Sequence, residues 1–562
     1  MPAVPLPLRS VSKYARLLFW LAIAWIVVFW RLGLPSLMDP DEAHYAELTR
    51  EMLRAGNWLV PLLDGQPYID KPILFHWLQG AAITLLGQSE FAVRLPSALA
   101  AIALFWTTRR AGILMFGESV GEWGAVMFAT IPATFALASI GLFDMIFTAL
   151  LFGGVVCLLE AAAKRARLTE AIGYALLSLA VMVKGPVALV LVGLFSLAAW
   201  AVGGEPRARI AWLRWKTGLS LAAVAASPWF IWMFAHFGDA FVQGYVLAGN
   251  LYYFTQPESW SSRAINHVFY LRSLVGGFFP WSAIACARLV DLARRRVRAD
   301  TDEILLWTWI AVVVGFFSLA RFKLDHYIFP AAPAICLLAS KAWHEAAAGE
   351  RRDGRAVLTV AIGLGALLVV AGAFMATYLF ELDLELPEAA ILLPIVFAAG
   401  GTALLERSAR QHWRLPPSPL VLVTTLLAAY ALVVAFGLPT LDHVRPTALV
   451  ARTLRTHAPP DAPASIYRLE QWRASLRYYA DRPLARVSSP EQAAAFLADG
   501  RARYIILTRR DYRGLKNFGL NLREVYRCRA VVGTTRIGGG LRRQQWDDLI
   551  IATNAPRGDW LP

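Results

Sequence analysis

Long apolar stretches separated by short polar ones fill residues 1–439, and many of the runs reach eighteen residues or more with few charges. That pattern belongs to helices that cross a bilayer, not to the one-sided stripe of a soluble helix. Hydropathy gives about thirteen spans, near 17–33, 92–106, 112–139, 145–162, 171–183, 187–202, 219–237, 268–287, 304–319, 327–340, 357–378, 389–405 and 420–437. Between the first two spans lie two amphipathic segments, 38–53 and 72–86, which predict juxtamembrane helices. From residue 440 the pattern changes. Short β-like runs at 464–467, 504–507 and 549–552 alternate with helical stretches at 472–479 and 490–497, the signature of a small α/β domain. The expected architecture is a polytopic α-helical membrane domain over 1–439 and an α/β domain over 440–562.

Composition agrees with a membrane protein. The chain is 57% hydrophobic and 17% charged, with a mean hydropathy of +0.49, too apolar for a soluble protein of 562 residues. Arg9, Lys13 and Arg16 precede the first run as in a signal sequence, but the run is too long and lacks a small-residue cleavage site, so an uncleaved first span is expected. The four cysteines are scattered without metal or disulfide spacing.

Charge then sets orientation. Basic clusters at 9–16, 109–110, 164–167, 207–216, 294–298, 351–355 and 407–414 fall on alternate loops, which the positive-inside rule places in the cytoplasm. The acidic loop 381–388 falls on the other side, and an odd number of spans puts the tail there too. Residues 440–562 hold 21 Lys and Arg against 11 Asp and Glu, so this domain carries +10 of the chain's +15. Such a domain suits anionic lipid or lipopolysaccharide phosphates, or is simply a basic domain at a membrane surface. Nucleic acid is a poor partner on that side, and no motif for it is present.

The outer side also gathers ionisable groups that spanning a bilayer does not require. In 38–53, MDPDEAHYAELTREML, Asp39 reads as N-cap, Pro40 as the first helical residue and Glu42 as the acid of a capping box. Asp41 is surplus to that cap. At i, i+3 and i+4 it shares a helix face with His44 and Tyr45, either as a reactive face or as part of a solvated surface helix. The same side receives Tyr68-Ile69-Asp70-Lys71-Pro72, Asp144 at the mouth of the fourth span, Lys184-Gly185-Pro186, the loop 239–267, and Arg321, Lys323, His326 and Tyr327. Singly, each is explained as an interfacial anchor. Together they suit transfer of a sugar from a lipid-linked phosphate. Asp41 would accept or orient the acceptor proton, Lys71, Lys184, Arg263, Arg321, Lys323 and His326 would stabilise the departing phosphate, and Tyr45, Tyr68 and Tyr327 would donate hydrogen bonds. Asp144 would orient the acceptor, share the base role or pair with a lysine. No glycine-rich phosphate loop is present, which disfavours a nucleotide-bound donor. A transporter or flippase, the rival class, would carry its ionisable groups near mid-membrane in discontinuous helices.

Six segments in order, DPDEAHYAE, Tyr68-Ile69-Asp70-Lys71-Pro72, Arg94-Leu95-Pro96-Ser97, Lys184-Gly185-Pro186, Phe279-Pro280-Trp281 and 318–330 (SLARFKLDHYIFP), resemble the bacterial 4-amino-4-deoxy-L-arabinose lipid A transferases. These are C-type glycosyltransferases related to the protein O-mannosyltransferases. The resemblance implies a C-type glycosyltransferase fold with thirteen spans, juxtamembrane helices in the first periplasmic loop and a C-terminal periplasmic α/β domain. It implies transfer of aminoarabinose from undecaprenyl phosphate to a lipid A phosphate at the periplasmic face of the inner membrane, with resistance to polymyxin and other cationic peptides as the result. Relatives with similar motifs act on protein or other glycolipids. By the same resemblance Asp41 is the base or acceptor-orienting group, Asp144 the next outer-loop acid, and Lys71 the donor-phosphate lysine, with Tyr45 and Tyr68 nearby. The family often has arginine where this chain has His44, and its Asn-Leu-x-Arg-Phe pattern reads Asn250-Leu251-Tyr252-Tyr253-Phe254 here, so that the arginine is either replaced by Arg263 or lost. The expected partners are the undecaprenyl-phosphate-linked donor, lipid A and membrane lipid. No cofactor is required on this reading, though a structural divalent metal such as zinc would sit between Asp70 and His267.

Overall fold

The computed structural model of the chain describes residues 12–255, 268–294, 299–349, 354–381, 388–498, 501–537 and 541–555. Contacts divide the chain into two units. One comprises Met1–Leu32, Ile69–Leu85 and Arg94–Val433; the other comprises Gly33–Tyr68, Leu86–Val93 and Val434–Pro562. The segment 38–53 and the tail, far apart in sequence, therefore fold as one unit.

The first unit is a helical bundle. Among the described residues seven helices are long and apolar enough to cross a membrane: Glu90–Phe116, Phe143–Lys164, Trp215–Phe237, Thr301–Leu319, Arg355–Ala376, Leu392–Arg410 and Leu420–Val444. An eighth is Phe269–Gly277 with Trp281–Ala293 if that pair, bent by 116° at the Phe279-Pro280-Trp281 motif, forms one span. Length and composition alone thus stop short of thirteen, because several expected spans are broken. The run 112–139 is divided into Glu118–Ala129 and Pro132–Leu137, where Pro132 starts a new helix. The run 327–340 begins as a 3-10 turn, Asp325–Ala331, before Ala332–Ala348. Phe143–Lys164 is the bundle's centre, with 83% of its apolar window buried.

Some of the basic residues assigned to the cytoplasm meet local acids, as do Arg288 and Lys341 outside those clusters. Arg110 forks onto Glu160 with two bonds of 2.8 Å, Arg109 and Arg167 pair with Glu122 and Glu170, and the buried Arg288 and Lys341 share Glu303. Bidentate geometry of this kind suits arginine.

The second unit is α/β. Its sheet runs Leu484–Val487, Ala464–Tyr467, Tyr504–Thr508, Leu541–Thr553, Arg523–Ile537, with the first three strands parallel and the last two antiparallel. Tyr467, Val487, Ile505, Leu507, Leu515, Ile550 and Ala552 form its core. The three β-like runs and both helical stretches of the tail are present, as Arg473–Ala480 and Pro490–Leu497 for the helices. The edge strand Leu484–Val487 and the long final hairpin are additions.

Candidate active site

Within the second unit, Asp41–Arg54 is a helix as expected, but its start differs from the expected cap. Pro40 occupies the N-cap position without a side-chain bond. Asp39 instead turns its carboxylate to Ser475, accepting from the backbone N–H at 2.9 Å and from the hydroxyl. Glu42 does reach back, accepting from the Met38 N–H at 2.8 Å. Ser475 offers Asp39 two donors, its backbone N–H and its hydroxyl, in place of the helix N–H groups. Burial raises the Asp39 pKa to about 6, with the Ser475 bonds opposing the shift.

The buried face of this helix holds Glu47 and Arg50, and it packs on Arg473–Ala480 from the tail. Arg477, 4% exposed, donates from Nε to Glu47 at 3.0 Å and also binds Glu51 and Asp64. Arg50 donates to Glu47 at 2.6 Å, to Asp481 at 2.5 Å and to the Tyr478 carbonyl at 2.9 Å. Glu47 is so enclosed that desolvation raises its pKa despite both arginines. Asp64 and Gly65, both at positive φ, form the turn of a two-residue hairpin between Leu62–Leu63 and Gln66–Pro67. That hairpin delivers Asp64 to Arg473 and Arg477, and Tyr68 to the helix. Its His44 contact is edge-to-face at 5.0 Å, and His44 and Tyr45 lie 5.6 Å apart. Asp41 is exposed in the first helical turn, one turn before His44 and Tyr45. Of the predicted residues, the second unit therefore brings together His44, Tyr45 and Tyr68 and sets Asp41 on the same helix.

Within the first unit, two consecutive helices turn their complementary ends together. Asp144 stands in the first turn of Phe143–Lys164 and Lys184 in the last turn of Arg167–Lys184, each favoured by its helix dipole. Lys184 donates to Asp144 at 2.6 Å, both side chains nearly buried. His326 Nε2 is 3.5 Å from the other Asp144 oxygen, and the Lys184 ammonium lies 4.6 Å from the Tyr327 ring centre. Gly185, at φ +89°, lets the chain leave the helix beside Tyr245. A Cβ there would collide with the Tyr245 hydroxyl. Tyr245 belongs to Val242–Leu251, whose Gly249 lies against Asp70. Asp70 in turn pairs with Lys71 at 3.0 Å. Asp70, Lys71, Lys184, Asp144, His326 and Tyr327 thus form one connected series of contacts. Lys323 donates to the Ala320 carbonyl, with its pKa lowered by burial, and Arg321 is exposed on the same loop.

Two other resemblance motifs are structural. Ser97 donates to the Leu142 carbonyl at 3.2 Å, just ahead of Asp144, and buried Arg94 donates to the Leu32 carbonyl at 3.2 Å. Trp281 donates to the Thr130 hydroxyl at 3.0 Å. Arg263 and His267 lie outside the described residues. Among the described residues no three or more His, Cys, Asp or Glu are gathered as metal ligands, and the Asp70 carboxylate is turned onto Lys71. Arg477 escaped the sequence reading, because nothing local marks an arginine whose partners are more than 400 residues away. The Asp64-Gly65 pair is a short-range turn signal that would have pointed to the hairpin.

Residues 70–232 match the family described as dolichyl-phosphate-mannose-protein mannosyltransferase. The chain is 30% identical over 402 residues to the undecaprenyl phosphate-alpha-4-amino-4-deoxy-L-arabinose arabinosyl transferase of Erwinia tasmaniensis, covering 68% of this chain and 70% of that protein. The protein of the same name from Enterobacter sp. is 28% identical over 323 residues, 55% of this chain and 56% of that protein. Among solved structures, ArnT from Cupriavidus metallidurans bound to undecaprenyl phosphate aligns over 97% of this chain and 99% of its own, with a TM-score of 0.74 at 21% identity. Its apo state gives 0.72. The shared fold is that of a multi-pass membrane protein.

Proposed function

Because the chain belongs to the undecaprenyl phosphate-alpha-4-amino-4-deoxy-L-arabinose arabinosyl transferase family, we infer that it moves 4-amino-4-deoxy-L-arabinose from undecaprenyl phosphate to lipid A. It is a lipid-phosphate-sugar-dependent glycosyltransferase, and polymyxin resistance follows from masking anionic phosphate with a cationic sugar. In the finer reading thirteen spans cross the inner membrane, the α/β unit lies in the periplasm, and transfer occurs at that face.

The chemistry is a displacement at the anomeric carbon. An oxygen of the lipid A phosphate forms the new bond while the bond to the undecaprenyl phosphate oxygen breaks, and the electron pair leaves on that phosphate. Asp41 takes or orients any proton on the acceptor oxygen. Lys71, Lys184, His326 and Lys323 stabilise the charge that grows on the leaving phosphate, with Arg321 and Arg263 assigned to the same task, and Tyr45, Tyr68 and Tyr327 donate hydrogen bonds. Asp144 holds Lys184 in place and so acts through it. Asp70 with His267 is the pair that would hold a divalent metal, and no step is routed through it.

The observation that supports this chemistry best is the Lys184–Asp144 pair with His326 and Tyr327 around it, a cluster of ionisable groups at the ends of apolar helices. Ionisable residues so placed mark sites of function. Mass spectrometry of lipid A from cells with and without the protein tests the reading. The added mass of one pentosamine on a phosphate, present only with the protein, is the expected result; unmodified lipid A in both overturns the assignment of sugar and acceptor.

A further inference from the structure

We propose that a cleft beside the edge strand of the α/β sheet binds a phosphate-class oxyanion. The cleft has a volume of about 750 Å³ and lies within the second unit, walled by the segments that enter strands Ala464–Tyr467 and Leu484–Val487. Arg473, Arg482 and Arg486 line it, with Asp64 and Asp461 as the acids. None of the three arginines is among the groups assigned to transfer.

Arg482 carries the argument. It is 9% exposed, and Asp481 and Asp461 act on it only through their charge, with no ion pair to either among the described residues. Its terminal nitrogens donate to the carbonyls of Pro459 at 2.9 Å, Ala462 at 3.2 Å and Ala458 at 3.5 Å, while its Nε–H has no partner. Carbonyls satisfy donors but do not cancel a charge, and a buried cation is normally met by an anion. Burial accordingly lowers its pKa. Arg473 repeats the pattern: one terminal nitrogen binds Asp64 at 2.8 Å and its Nε–H is buried without a partner. Arg486 stands more exposed, loosely paired to Glu470 at 3.7 Å. Of the two acids in the cleft, Asp64 is already engaged by Arg473 and Arg477. Asp461 offsets part of the remaining charge, and what is left is a set of guanidinium groups, two of them with unpartnered Nε–H donors, around a cleft large enough for a headgroup. A phosphate monoester, with several acceptor oxygens and up to two negative charges, suits arginine forks better than a monovalent anion.

The same oxyanion chemistry is presented by free phosphate and by a phosphorylated glycolipid headgroup, and two arms separate them. The full chain is placed in phosphatidylcholine nanodiscs and titrated calorimetrically with inorganic phosphate at constant ionic strength, then again in nanodiscs containing lipid A. Wild type binds phosphate; Arg486→Ala, whose side chain supports no described fold contact beyond Glu470, weakens binding roughly threefold; Arg482→Gln weakens it roughly tenfold or more. If lipid A lowers the apparent phosphate affinity of wild type but not of Arg486→Ala, the headgroup occupies the cleft; if it has no effect, free phosphate does. Absence of binding to wild type, or equal binding by wild type and both variants, overturns the site. The readout is binding, so either result leaves the transfer reading standing.

Discussion

At the residue scale, two buried acids behave in opposite ways. Asp39 has its pKa raised from 3.8 to about 6 by burial, so the folded state holds a proton that the unfolded chain releases near pH 4. The sign follows from linkage: this residue's contribution is fully present below pH 4 and is lost as pH rises through 6, at most about 3 kcal/mol for that shift. Melting of wild type and Asp39→Asn between pH 4 and 7 checks it. The wild type should lose stability relative to the variant across that window, and a constant gap refutes it. Asp144 is buried beside Lys184, where removing one charge strands the other. Asp144→Ala should cost about 3–5 kcal/mol, while Asp144→Ala/Lys184→Met costs less than the single change. Thermal unfolding in detergent reads both, and additive losses would mean that the pair is not coupled.

The element scale shows where sequence patterning reached and where it stopped. The helix Asp41–Arg54, the tail strands Ala464–Tyr467 and Tyr504–Thr508 and the tail helices were legible because each has its own period and its own breakers. The cap of the first of these was misread, since only a distant partner, Ser475, tells that Asp39 has other work. The Lys184 motif was legible as a group of unusual residues; that it closes on Asp144 depends on two helices folding back with their dipoles opposed, which no local pattern states. Arg477 was wholly illegible for the same reason. Its three carboxylates tie Asp41–Arg54 and the Asp64 hairpin to the tail helix within one unit. Arg477→Ala should therefore destabilise that unit by about 3 kcal/mol, because it removes the partner of Glu51, one of two guanidinium partners of the buried Glu47 and one of two of Asp64. Arg477→Lys should recover only part, because an ammonium does not reproduce the fork. Limited proteolysis and melting of the purified chain check both, and full recovery with lysine would show that charge alone suffices.

For the whole molecule, apolar periodicity gave the class of fold, and the broken helices explain why counting runs overestimates the helices that qualify as spans by length alone. Of the residues proposed for transfer, Asp41, Tyr45 and Tyr68 belong to the α/β unit and Lys71, Asp144, Lys184, His326 and Tyr327 to the helical one. The central claim is that Asp41 is the acid–base group of the proposed transfer. The most direct test is turnover of purified Asp41→Asn on undecaprenyl-phosphate-linked aminoarabinose and lipid A, with melting measured alongside. Since Asp41 is exposed, the account predicts an unchanged melt and a rate lower by roughly 10²–10⁴-fold. Wild-type turnover by that variant would contradict it.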